Sequence, residues 1–117
     1  PFFDGLAARG RVAQAQSDLT TAELDLAQAR EGVALEVRSA SDEVRVAAEI
    51  VRALSGTVDQ ARRLLEMAER GLDLGVKTRL DVDDALLNLR QAEGGLARAQ
   101  RDYLVATTRL RFVQGVL

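Results

Sequence analysis

The stretch Gly71-Leu72-Asp73-Leu74-Gly75-Val76-Lys77-Thr78-Arg79-Leu80-Asp81 decides the fold, because a helical pattern stops in it and starts again after it. Gly75 can take the left-handed conformation that ends a helix, and Thr78 with Asp81 three residues on has the spacing of a capping box. A turn belongs here. Before it, one apolar stripe runs through Leu19, Ala22, Leu26, Ala29, Val33, Val37, Ala40, Val44, Ala47, Val51, Leu54, Val58, Ala61, Leu65, Ala68 and Leu72. The steps alternate three and four, with a stutter around Val33, so the period is that of a left-handed coiled coil. After the turn the stripe resumes as Ala85, Leu89, Ala92, Leu96, Ala99, Tyr103, Ala106, Leu110 and Val113.

The pattern predicts an all-α chain, a long antiparallel coiled-coil hairpin with one long helix and one about half as long. Its parts are a lead-in at 1–5, the long helix at 6–73, the turn at 74–80, the return helix at 81–114 and a tail at 115–117. At about 1.5 Å per residue the first helix would be roughly 100 Å long. Ser55-Gly56-Thr57 is its weak point, since an interior Gly costs about 1 kcal/mol and Thr57 with Gln60 could cap a new helix, giving a three-helix bundle instead. The stripe keeps its phase from Leu54 to Val58, which favours one continuous helix. Gly94-Gly95 in the return helix is either a second soft spot or a place of close helix approach.

A partial second stripe, through Leu24, Ala27, Ala34, Val46, Ile50, Ala53, Leu64 and Met67, lies on another side of the first helix. Two apolar seams call for two helical neighbours, as in a sheet-like or barrel-like array of helices. Between the seams Asp42 with Arg45, Asp59 with Arg62 and Arg63, and Glu66 with Arg70 form a solvated face, each pair adding about 0.2 to 0.5 kcal/mol.

Composition narrows the function. The 117 residues are 47% hydrophobic and 29% charged, as in ordered proteins, but aromatics make up 3% and Trp is absent, so few large anchors exist for a compact core. With Pro only at position 1, strong helix formers fill the chain. The net charge of -2, with both signs interleaved, offers no basic face for nucleic acid or anionic lipid. Neither Cys nor His is present, which removes thiol nucleophiles, imidazole bases and most metal sites, so no cofactor, metal or catalysis is expected. No run approaches about 18 apolar residues, and no signal-peptide pattern is present.

The densest acidic cluster is Asp81, Asp83 and Asp84. Carboxylates in a first turn complement the helix dipole, but three exceed what capping needs. Asp81 and Asp84 are three apart, so they share a face and would form a ring if several copies met around an axis.

From Gly71 to Ala85, with Asn88-Leu89, Ala92 and Asp102-Tyr103 beyond, the sequence resembles the TolC-type outer-membrane efflux protein family, whose turn reads Gly-x-x-Thr-x-x-Asp-Val-x-Asp-Ala. Pro1-Phe2-Phe3-Asp4-Gly5 is similar to the segment where that family's chain leaves a β-barrel strand for a long helix. Leu72, Asp83 and Leu86 depart from residues common in the family. The resemblance implies the periplasmic α-barrel hairpin of a homotrimeric outer-membrane channel that exports small molecules. It implies a turn that docks a periplasmic adaptor protein joined to an inner-membrane pump. By position, Asp81 and Asp84 would be the acidic residues at the narrow pore tip, and Gly75, Val76, Lys77, Thr78 and Arg79 the adaptor contact. The family's β-strands and second repeat are not in these residues, so the chain is expected to be a segment that does not form the channel alone.

The alternative is a coiled-coil interaction module, such as an adaptor hairpin, which should have helices of nearly equal length. A lipid-binding amphipathic bundle is disfavoured by the missing Trp and basic face. For the isolated chain, the stripe from Leu19 to Val37 extends beyond the reach of the shorter helix, so two copies should pair there, most simply antiparallel about an axis near Leu26.

Overall fold

A computed structural model describes residues 2–116, and it contains two helices, α1 (Phe2–Asp73) and α2 (Arg79–Val113), with no strand among the described residues. The all-α, two-helix class anticipated from the stripes is what forms. No helix of the described residues is long and apolar enough to cross a membrane.

Helix α1 starts at Phe2, not Leu6. Asp4 in its first turn faces the positive end of the dipole, and the single Gly5 is too weak a breaker among Ala, Leu and Arg to delay the start. Pro1 of the lead-in and Leu117 of the tail lie outside the described residues. Helix α2 starts at Arg79 and not Asp81, because Thr78 is the N-cap and the helix begins at the next residue. It ends one residue before the expected Gln114, which serves as C-cap.

The helix passes through Ser55-Gly56-Thr57 without a break. Thr57 does not cap a new helix; its hydroxyl donates to the Ala53 carbonyl one turn back, at 3.2 Å. At Gly94 and Gly95 the helix is likewise unbroken. A Cβ at Gly94 would come no nearer than 3.8 Å to the Arg98 side chain, and one at Gly95 would meet nothing within 4 Å, so close helix approach is not what these glycines provide.

The chain divides into two units, Pro1–Arg38 and Ser39–Leu117. In the first, every described residue is exposed except Val37, which is half-buried. In the second, the α1 stripe from Ala40 to Leu72 is buried or half-buried at every position. It packs on α2 around Val58, Ala61 and Leu89, with Leu65, Ala92 and Leu96 against them. Alanines at Ala40, Ala61, Ala68 and Ala99 make this a thin seam with no large side chain fully buried.

The second stripe stays open. Val46, Ile50, Leu64 and Met67 are 50, 47, 57 and 63% exposed. Asp42 with Arg45 and Asp59 with Arg62 pair as the spacing anticipated, at 3.0 and 3.5 Å. Glu66 and Arg70 do not close into a pair. Arg109 of α2 reaches Glu43 of α1 at 2.7 and 2.8 Å, an exposed bridge that adds little stability and follows from the alignment set by the apolar seam.

Candidate functional site: the helical turn

The turn is built by two backbone devices joined end to end. Gly75, at φ 77°, lets the N–H of Val76 donate to the Gly71 carbonyl at 2.8 Å and its own N–H donate to Leu72 at 3.0 Å. These are the two bonds of a Schellman motif, and they satisfy carbonyls that the helix end leaves open. Lys77 N–H donates to the same Gly71 oxygen at 3.0 Å. Thr78 then opens α2 with extended backbone, φ -97° and ψ 166°. Its hydroxyl oxygen accepts from the Asp81 N–H at 3.2 Å, and its own N–H donates to Asp81 Oδ2 at 2.7 Å. Both halves of the anticipated capping box are present.

That box fixes the electrostatics of Asp81. The backbone N–H and then the hydroxyl of Thr78 hold its carboxylate below the ordinary Asp range, with a smaller opposing effect of desolvation and a small favourable one from Lys77. Because the folded-state value is depressed, its stabilising contribution is present above the ordinary carboxylate range. It disappears as the pH falls through the lowered value.

Of the residues singled out in the sequence, the structure brings Lys77, Asp81 and Asp84 together. With Asn88, Ala85, Ala61, Leu64, Met67 and Ala68 they line a groove of about 270 Å³. Asp81, Asp84 and Asn88 thus share one face, as the three- and four-residue spacing requires. Gly75, Val76, Thr78 and Arg79 are exposed at the turn, where Leu74, Val76 and Leu80 are 79, 76 and 67% exposed. A weakly apolar cap therefore projects beyond an acidic groove.

Gly71 carries more of the site than its sequence context suggested. It is buried; a Cβ placed on it would collide with the Lys77 side chain and lie 3.6 Å from Val76 Cγ2. The signal was a glycine four residues before another, with the later one free to turn and the earlier one covered by the returning chain. A paired measurement checks this. Gly56→Ala, in open space, is expected to raise stability by up to about 1 kcal/mol, whereas Gly71→Ala is expected to lower it by about 1 to 3 kcal/mol as the turn shifts. Urea midpoints of equal sign for both would show that the turn does not need the bare backbone.

A family model described as outer membrane efflux protein matches residues 1–116. The chain is 43% identical over 61 residues to the alkaline protease secretion protein AprF of Pseudomonas aeruginosa, covering 52% of this chain and 13% of AprF. It is 38% identical over 60 residues to the outer membrane protein TolC of Vibrio cholerae, covering 51% of this chain and 14% of TolC. No solved structure matches the chain.

Proposed function

Because this chain belongs to the outer membrane efflux protein family, we propose that it is the periplasmic helical hairpin of a trimeric outer-membrane efflux channel. Its turn is the inner tip, docking a periplasmic adaptor protein that connects to an inner-membrane pump. The observation that carries this reading is the double seam of α1. Between Ala40 and Leu72 one stripe is covered by α2 while the second, through Val46, Ile50, Leu64 and Met67, is left open. A helix with one satisfied and one unsatisfied seam fits a closed array, where each hairpin meets a neighbour on its far side. Helices of 72 and 35 residues also do not suit the near-equal arms of an adaptor hairpin.

In this reading the chemistry is passage, not catalysis. Asp81 and Asp84 from each copy turn toward the axis, and residues Gly75 to Arg79 meet the adaptor. The isolated chain, lacking neighbours, pairs with a second copy through its exposed stripe. Small molecules are the proposed cargo, and the name of AprF, a protease secretion protein, makes an exported protein the second candidate.

The test uses the full-length parent. Purified and added to planar bilayers, it is expected to give discrete ion-conducting steps, and deleting its gene is expected to raise susceptibility to small toxic compounds. A deletion that only removes a protease from the medium would replace the small-molecule cargo by a protein. No conductance from well-inserted protein would remove the channel reading.

A further inference from the structure

The paired part of the hairpin carries its helix-weakening residues at one level. Between Ser39 and Arg70 the only glycine of α1 is Gly56, and between Arg79 and Val113 the only glycines of α2 are Gly94 and Gly95. The bridge between Arg109 and Glu43 marks how the helices align. Gly56 lies 13 residues after Glu43, and Gly95 and Gly94 lie 14 and 15 before Arg109, so the three stand level to within about one helical turn.

Packing requires none of them. A Cβ would meet nothing within 4 Å at Gly56 or Gly95, and at Gly94 only the Arg98 guanidinium at 3.8 Å. Alanine would fit in each place and strengthen the helix, so what these glycines supply is softness rather than close approach.

Three further features fall at the same level. Thr57 donates its hydroxyl to the Ala53 carbonyl at 3.2 Å, a contact that competes with the helical bond to that oxygen and favours bending. The second α1 stripe has Val46 and Ile50 before Gly56 and Leu64 and Met67 after it, but only Ala53, Thr57 and Gln60 between, so no large apolar anchor stands there. Beside Gly95 a cleft of about 180 Å³ opens between Ile50 and Leu54 of α1 and Arg98 and Asp102 of α2, which leaves room for a tilt. The covered seam has no such gap. Ala92 and Leu96 pack against Val58 and Leu89, so the two helices stay together while both bend.

We propose that the hairpin is jointed at Gly56 and Gly94–Gly95, and that its tip segment, residues 57–93, tilts as one body toward the cleft. Asp81, Asp84 and Asn88 precede Gly95, Arg98 and Asp102 by 14 residues each, two heptads, so the cleft and the acidic groove lie on one side. The tilt therefore carries the acidic face with it. At about 20° on a lever of about 25 Å, it moves the turn by roughly 9 Å. The joint rests on the hairpin alone; its use, changing the width of the tip, rests on the channel reading above.

Amide hydrogen exchange in the full-length parent tests the joint directly, because a bend breaks the helical bonds across it. Corrected for intrinsic rates, amides 57–60 and 95–98 are expected to exchange at least about tenfold faster than amides 64–67 and 85–88. The triple variant Gly56→Ala, Gly94→Ala, Gly95→Ala is expected to remove that difference. Gly32→Ala, also in open space but far from this level, is expected to leave it. Uniform protection in the parent, or fast exchange in one helix alone, would overturn the joint. In planar bilayers the triple variant is expected to switch between open and closed levels at least about tenfold less often than the parent, and Gly32→Ala as often as the parent. Unchanged switching in a triple variant whose exchange has slowed would overturn the use of the joint at the tip. A parent without conductance would remove the channel reading and that use with it, while the exchange rates still decide the joint.

Discussion

Full-length protein carrying Thr78→Trp is expected to lose efflux entirely, with susceptibility equal to that of a deletion strain, while the amount of channel in the outer membrane stays unchanged. The argument starts from exposure. Val76 and Leu80 stand 76 and 67% exposed on a turn held by four backbone hydrogen bonds between residues 70 and 77 and the capping box. In the proposed role, a weakly apolar knob held in one shape would present the same surface to every adaptor molecule, so little ordering entropy would oppose docking. A Trp at position 78 obstructs that surface and removes the cap, but loss of an N-cap costs only about 0.5 to 2 kcal/mol, too little to prevent assembly of a helical array. Two further variants separate contact from fold. Thr78→Ser keeps the capping oxygen and should keep efflux. Val76→Asp leaves both hydrogen-bonded devices in place but charges the knob, and should lose efflux as Thr78→Trp does. Gly75 variants are less informative, since its φ of 77° strains any side chain there. Normal drug resistance in both Thr78→Trp and Val76→Asp would sink the adaptor assignment.

The devices that made this region legible are local ones. Gly75 and the Thr78–Asp81 box act over three to five residues, so their spacing alone identified them, and the structure forms both. The α1 stripe was legible because a helix fixes direction by position: Ala40 to Leu72 is covered at each step. What sequence could not give depends on which surfaces meet. Gly71 is needed because Lys77 passes over it, and no periodicity encodes that crossing. Arg109 and Glu43 are 66 residues apart, and their pairing follows only once the two helices are aligned. The start at Phe2 was missed for a different reason, since Gly5 costs about 1 kcal/mol but the residues after it restore the helix.

The double variant Asp81→Asn, Asp84→Asn in the full-length parent is expected to abolish block of the channel by multivalent cations and to change its single-channel conductance. The two residues share the face that lines the 270 Å³ groove with Lys77 and Asn88, so in a three-fold assembly they would place six carboxylates near one level of the axis. Fixed charges of one sign in a narrow, partly dehydrated passage concentrate counter-ions and hold multivalent ones longest. Asn is the right replacement because Asp81 is also the capping acid: its Oδ2 accepts from the Thr78 N–H at 2.7 Å and from the hydroxyl at 2.9 Å, and an amide oxygen can still accept. Ala at position 81 would confound charge with loss of the cap. The pH dependence follows from the same contacts. Since Thr78 holds Asp81 below the ordinary carboxylate range, the block that Asp81 contributes should survive acidification past the usual Asp range of about 4 and fade only below it. Unaltered block and conductance in the double variant, measured on correctly inserted trimers, would exclude an acidic ring at the axis and leave Asp81 as a capping residue.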